Sequence, residues 1–345
     1  MAKRIGIVDV AAAAGVSVTT VSHALNGRGQ VNAATRERVQ RVAIELGYAP
    51  NRIATALRNR RSGIIGFVSD EIATTPYSGR VILGAQDAAA ERGILLVMVD
   101  SNGDPEVEAR QILALRAQQV DAIVYARMYH QTVSVPSAIG ELSTVLVDAV
   151  DRHSSSPSIV PDEVGIGRDG TAYLIAMGHR NIVHLTIDDR GPGHDGRIVG
   201  YREVMRANGL DPRIAWVPGP ADGRAGFDAL RLAVSVSDSE RPTAVFCFND
   251  EMALGVYQSA REQGISVPGE LSVMGVDDFT PIAAQLRPGL TTIALPHYEM
   301  GRWAIRTLAD LIDGVEPSES HVRMPAGLVV RDSVVAPSSR GGMHA

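Results

Sequence analysis

Residues 7–26, IVDVAAAAGVSVTTVSHALN, read as two short helices broken by a tight turn. Gly15 accepts the left-handed backbone such a turn needs, and Ser17 supplies a side-chain oxygen to cap the second helix. Val10 and Ala14 on the first helix, and Val21 and Leu25 on the second, recur at four-residue spacing, so each helix has an apolar stripe to set against the other. That is the helix-turn-helix pattern, whose second helix enters the DNA major groove. With the stripes packed inward, Val18, Thr19, Ser22 and His23 are left facing outward near the start of the second helix, where they read bases or phosphates.

Downstream, the spacing predicts a third helix from its cap Asn32 to Leu46, with Val39, Val42, Ala43 and Leu46 on one face and Gly47 as its stop. Three helices close a minimal core. The charge distribution agrees with a phosphate-facing role. The chain carries −6 overall, yet its first 62 residues hold ten basic and three acidic side chains, +7, which leaves −13 on the remainder. A small basic head on an acidic body favours nucleic acid at one end only.

The strings Val8-Asp9-Val10-Ala11, Gly15-Val16-Ser17, Thr20-Val21-Ser22, Leu25-Asn26-Gly27, Thr35-Arg36 and Leu46-Gly47-Tyr48, followed by Pro50-Asn51-Arg52, resemble the lactose and galactose repressor family, and the likeness extends over nearly the whole chain. The resemblance implies that Ser17, Thr20, Asn26, Thr35, Asn51 and Arg52 join the DNA-contacting set. It also implies a hinge helix over residues 51–58 that forms only on operator DNA, with Leu57 wedged into the minor groove and Ala54 beside it. Eight residues are too few to hold a helix alone, since isolated helices below about 12–15 residues are marginal in water. Two positions depart from the family: Gly6 stands where a threonine-like cap is common, and His23 where arginine is frequent. Histidine is a smaller, conditionally charged donor, so the operator sequence does not transfer.

Beyond Ser62 short apolar runs alternate with amphipathic stretches. Residues 63–68, 94–99, 122–125 and 145–147 read as buried parallel strands, separated by helices such as 84–92 and 106–118; a second series follows at 182–187, 244–248, 273–276 and 290–295. Such alternation implies doubly wound α/β sheets in two lobes, with a ligand cleft at the carboxyl ends of their strands. The resemblance implies a periplasmic-binding-protein-like body with lobe crossovers near residues 162, 290 and 325. The expected organisation is a headpiece over 1–50, hinge and linker over 51–62, a discontinuous body over 63–337 and a short tail over 338–345.

Several strand-end polar residues fall on the family's effector positions: Asp148, Arg197 opening the helix 198–208, Asn249 and Asp277. An arginine among carboxylates and an amide suits a hydroxyl-rich ligand, because each fixes a hydroxyl by a charge-assisted hydrogen bond. Tyr77 reads either as a cleft-lining aromatic or as a surface one, and Arg127 is a further candidate. Asp250 and Asp278 read equally well as helix caps or ion-pair partners. Ala221 and Leu295 replace an aromatic and a glutamine common in the family, which permits a larger or differently shaped effector.

Residues 165–170, GIGRDG, satisfy a dinucleotide fingerprint, but Pro157 and Pro161 argue against a preceding strand, and Asp162 and Glu163 would repel a pyrophosphate; a glycine-rich lobe crossover is expected there. No nucleophile elbow, zinc-type HExxH or phosphate loop is present, and the lone Cys247 allows neither an intrachain disulfide nor a cysteine metal site. No catalytic residue, metal or cofactor is therefore expected. The sequence predicts a cytoplasmic, effector-controlled repressor that binds a palindromic operator as a homodimer, without contact with a membrane. A solute-binding protein or a two-lobed enzyme using the same cleft is the alternative, and the headpiece decides against both.

Overall fold

The computed structural model describes residues 5–25, 29–48, 61–71, 75, 78–153, 155–188, 190–237 and 240–338. Its contacts divide the chain into two units, Met1–Gly63 and Ile64–Ala345. Tyr77, Asn26 and the expected hinge residues Asn51, Arg52, Ala54 and Leu57 lie outside the described residues.

In the first unit, α1 (Ile7–Ala14), α2 (Val18–Leu25) and α3 (Ala33–Glu45) enclose Val10, Ala14, Val21, Ala24, Val39 and Ala43. Local chemistry sets each boundary. Gly15 ends α1 at φ 65°, and the amide of Val16 returns to the carbonyl of Ala11. Ser17 Oγ accepts from the amide of Thr20 at 3.1 Å, and Asn32 Oδ1 from that of Thr35 at 2.8 Å. Where Gly6 offers no side-chain cap, its own amide donates to Asp9 Oδ2 at 2.7 Å, so α1 is closed from within its first turn.

The second unit holds two six-stranded sheets. Its elements are β1 (Ile64–Ser69), α4 (Ser78–Glu91), β2 (Leu95–Asp100), α5 (Pro105–Ala117), β3 (Ala122–Thr132), β4 (Ser143–Val150), β5 (Ser158–Pro161), α6 (Glu163–Ala176), β6 (Ile182–Ile187), α7 (Pro192–Ala207), β7 (Arg213–Val217), α8 (Gly223–Val234), β8 (Ala244–Cys247), α9 (Asp250–Glu262), β9 (Ser272–Asp277), α10 (Thr280–Ala283), β10 (Thr291–Ala294), α11 (His297–Ile312), β11 (His321–Met324) and β12 (Gly327–Val329). One sheet runs β11-β5-β4-β3-β1-β2, parallel throughout; the other runs β12-β10-β9-β8-β6-β7, parallel except for the β10–β12 pair. Helices cover both faces of each, which is why the central strands are apolar on both sides. The chain passes between sheets three times: between β5 and α6, between β10 and α11, which packs on α4, and between β11 and β12. No single helix among the described residues is long and apolar enough to cross a membrane.

Three local expectations are corrected. The glycine-rich segment 165–170, expected to be a lobe crossover, lies inside α6, just past the crossing between β5 and α6. Pro161 does not prevent a strand: it is the last residue of β5, beyond the point where pairing with β4 stops at Ile159, so its missing N–H disrupts nothing there. Arg197 does not open its helix, because α7 begins at Pro192, where a proline at the first position has no hydrogen bond to lose.

One buried group gives the body an acid-sensitive element. His184 on β6 is fully buried between the rings of Tyr201 and Phe246, at centroid distances of 5.5 and 5.2 Å. Its Nδ1 donates to the Phe246 carbonyl at 2.9 Å while Nε2 has no protein partner, and burial pushes its pKa down to about 3. The unfolded chain takes up this proton near the ordinary pKa of about 6.5, so the stabilisation is complete above that pH and is lost as pH falls toward 3. His184→Phe is therefore expected to remove about 2 kcal/mol of the stability difference between pH 7.5 and pH 5. Urea unfolding at the two pH values measures it; an unchanged difference would mean that the ring protonates freely in the folded state.

Candidate functional site

The outward face of α2 follows from which residues its core removes. Val21 and Ala24 are buried, and this turns Val18, Thr19 and His23 to solvent, with Thr20 and Ser22 half-buried beside them. Ser17 and Thr20 bond to each other, Oγ to Oγ1, at 2.8 Å, so their hydroxyls fix the start of the helix. His23 lies beside Gly29: a β-carbon on Gly29, whose φ is 69°, would come 2.6 Å from its Nδ1. The glycine thus leaves room for the imidazole. Thr35, half-buried, lies in the first turn of α3.

In the second unit the polar groups gather at the carboxyl ends of the strands. Arg197 is 5% exposed; its Nε donates to Glu163 Oε2 at 2.8 Å and its Nη1 to the Phe248 carbonyl at 2.5 Å, with the guanidinium stacked 4.5 Å over the Phe248 ring. Burial raises the Glu163 pKa, but Arg197 and His130 outweigh it and hold the carboxyl below its usual range. His130, at the end of β3 in the other lobe, reaches to 3.7 Å from Glu163 Oε1. Asp148, at the end of β4, is 2% exposed with φ 51° and lies 3.6 Å from His297 Nε2. Burial, then the nearby charge of Glu163, pushes the Asp148 pKa well up, with Arg197 opposing; burial lowers that of His297 to about 4. Asp148, Glu163, His297 and Arg197 thus form one electrostatically coupled group at the junction of the lobes.

The glycines of α6 and α7 make this group possible. A β-carbon on Gly167 would fall 2.1 Å from the Arg197 carbonyl oxygen, and one on Gly196 would fall 2.5 Å from Cβ of Glu163. Removing those carbons lets the two helices touch backbone to backbone, which brings Glu163 and Arg197 within hydrogen-bond reach. The motif that formally satisfied the dinucleotide fingerprint is a helix-packing device.

Asn249 caps α9: its Oδ1 accepts from the Met252 amide at 2.8 Å, and its Nδ2 donates to the Ala221 carbonyl at 2.7 Å. Asp277 ends the adjacent strand β9 with φ 118°, and Asp278 follows at φ 51°. Buried Asp250 anchors this unusual turn, accepting from the Phe279 amide at 2.8 Å and from Thr292 Oγ1 at 2.7 Å; burial raises its pKa to about 7. Asp278 pairs with Arg331 at 2.6 Å. Asp250 and Asp278 are thus a structural anchor and an ion-pair partner. Arg127 sits in a second charged cluster, one member of which, Asp70, also bears on Asp148. It pairs with Glu108 at 3.0 Å and Asp70 at 3.7 Å, and Nη2 donates to the Tyr125 hydroxyl. Sequence reasoning missed His130 and His297 and took Glu163 only as a charge hostile to phosphate. An acid one residue past a lobe crossing, followed by a small-residue helix, was the available signal for Glu163.

No group of acidic, histidine or cysteine side chains with metal-binding geometry occurs among the described residues. Residues 6–51 match the family described as bacterial regulatory proteins, lacI family, and residues 171–334 match a periplasmic binding protein-like domain. The chain is 32% identical over 333 residues to the HTH-type transcriptional regulator DegA of Bacillus subtilis (strain 168), covering 95% of this chain and 97% of that one. It superimposes on the lac repressor dimer bound to operator and the anti-inducer ONPF with a TM-score of 0.75 at 27% identity, covering 97% of this chain and 100% of that one. The transcriptional regulator CelR in complex with cellobiose gives 0.67 at 29% identity, covering 96% and 100%. With its reading helix, paired parallel sheets and relatives matched along almost their whole length, the chain belongs to the lacI family of bacterial regulatory proteins and is a DNA-binding transcriptional regulator, not an enzyme.

Proposed function

We propose that the protein is a cytoplasmic repressor that grips a palindromic operator as a homodimer and is controlled by a small polyhydroxylated effector, a sugar or a related polyol or nucleoside, bound between its lobes. The observation that carries this reading is the buried Arg197 group at the lobe junction, where Glu163 holds Arg197 at 2.8 Å and is met at 3.7 Å by His130 of the other lobe. Asp148, Arg197, Asn249 and Asp277 line the effector site in this reading, with Tyr77 and Arg127 as further candidates. The lac repressor and CelR structures support it, the first as a dimer on operator, the second with a disaccharide. The headpiece spans 1–50, the hinge 51–62, the effector-binding body 63–337 and the tail 338–345. Val18, Thr19, Ser22 and His23 face the major groove, with Leu57 at the operator centre.

Effector binding changes the lobe arrangement and through it the operator affinity, by about 1–3 kcal/mol as typical couplings run. Salt-dependent footprinting of the protein on its own promoter region, with and without sugars and nucleosides, tests this. A protected palindrome whose affinity responds to one compound supports the reading, and no protection at low salt removes it. His23→Ala is expected to relax base preference at one position in each half-site, at a cost of about 1–3 kcal/mol for the preferred base, and to leave the salt slope unchanged. Uniform weakening on every sequence would instead make His23 a phosphate contact.

A further inference from the structure

Arg197 does not meet the cleft as an unbalanced cation. Glu163 holds its Nε at 2.8 Å, and both side chains are 6% exposed, so the charge is matched inside the protein before any ligand arrives. The partner is fixed as well as close. Glu163 sits against Gly196 and Gly193, where β-carbons would fall 2.5 Å from its Cβ and 3.1 Å from its Oε1, and His130 stands 3.7 Å from the same oxygen. Asp148, coupled to the pair, adds a second acid to the lining.

We propose that Glu163 sets the charge class of the effector: by neutralising Arg197 from within, it makes the cleft select an uncharged polyol and reject the carboxylate-bearing counterpart of that polyol. This rests on the cleft being the effector site. A hydroxyl placed at the pair accepts from the guanidinium and donates to the carboxylate, satisfying both groups at once. A ligand carboxylate at the same guanidinium can only accept, and it stands against the fixed charge of Glu163 in a poorly solvated site. Specificity then comes from a repulsive element as much as from an attractive one.

The test is titration calorimetry of the full-length protein with matched neutral and acid pairs: ribose and ribonate, glucose and gluconate, cellobiose and cellobionate. At least one neutral member is expected to bind, with its acid at least about tenfold weaker. Glu163→Gln is expected to shrink that ratio about tenfold by strengthening the acid, and Glu163→Asp to preserve it. An acid that binds the wild-type protein as well as its neutral twin overturns the inference while leaving the effector site intact, as does a folded Glu163→Gln protein with an unchanged ratio. The wild-type comparison decides even where a variant does not fold. Binding by no member of any pair removes the polyhydroxylated-effector reading itself, and this inference with it.

Discussion

Arg127→Met is expected to lower the stability of the body by about 3–5 kcal/mol, because it strands two buried acids at once. The side chain is only 11% exposed; Nη1 stands 3.0 Å from Glu108 and Nε 3.7 Å from Asp70. Glu108 also accepts from the Tyr125 hydroxyl at 3.0 Å, and Asp70 from the Met128 amide and the Gln131 side chain at 3.2 Å each. Methionine fills much of the volume and supplies no positive charge, so each carboxylate must take up a proton or draw in water. Urea unfolding without ligand measures the loss. Adding Glu108→Gln should recover part of it, since the second substitution removes a charge the first left unmatched. A loss below about 1 kcal/mol would place the cluster in solvent-screened surroundings.

Gly200→Val should destabilise the second lobe by about 3 kcal/mol, at the upper end of ordinary overpacking. A β-carbon there would lie 2.1 Å from the Val164 carbonyl oxygen and 2.6 Å from the Arg168 amide nitrogen, so relief requires α6 and α7 to separate. Rigid backbone cannot yield as a flexible side-chain tip does. The same separation moves Glu163 from Arg197, so the variant should also lose effector response while keeping its headpiece. Thermal unfolding reads the first effect, and Gly79→Ala, with open space around its β-carbon, is the control, expected to shift stability by less than about 1 kcal/mol.

The fold was legible where periodicity and caps agreed. The boundaries of α1, the Ser17 and Asn32 caps and the central strands all follow from residue type and spacing, because local geometry alone determines them. The short strands β5, β7, β11 and β12 were not legible. Each lies at or next to a sheet edge, is only three to five residues long, and is defined by a partner remote in sequence. The site was legible in part. Asp148 stands out as a polar group near a strand end and Arg197 as one near a helix start, but neither position says whether a side chain faces ligand or protein. Arg127 shows the limit: its partners Glu108 and Asp70 lie 19 and 57 positions away, and only the folded sheet brings them to it. The glycines of α6 escaped for the related reason that a gap in one helix has meaning only against the second.

The final crossing, from β11 to β12, bears on how the protein is made. β11 is an edge strand of one sheet and β12 an edge strand of the other, separated by two residues, and the buried Ser333 and Val334 lie within five residues of the end of β12. A growing polypeptide therefore finishes neither lobe until translation has passed residue 321, although the three-helix head has been available since its first fifty residues left the ribosome. A premature stop codon shortly before that point would take an edge from both sheets together and leave a DNA-reading head attached to a body with two open flanks.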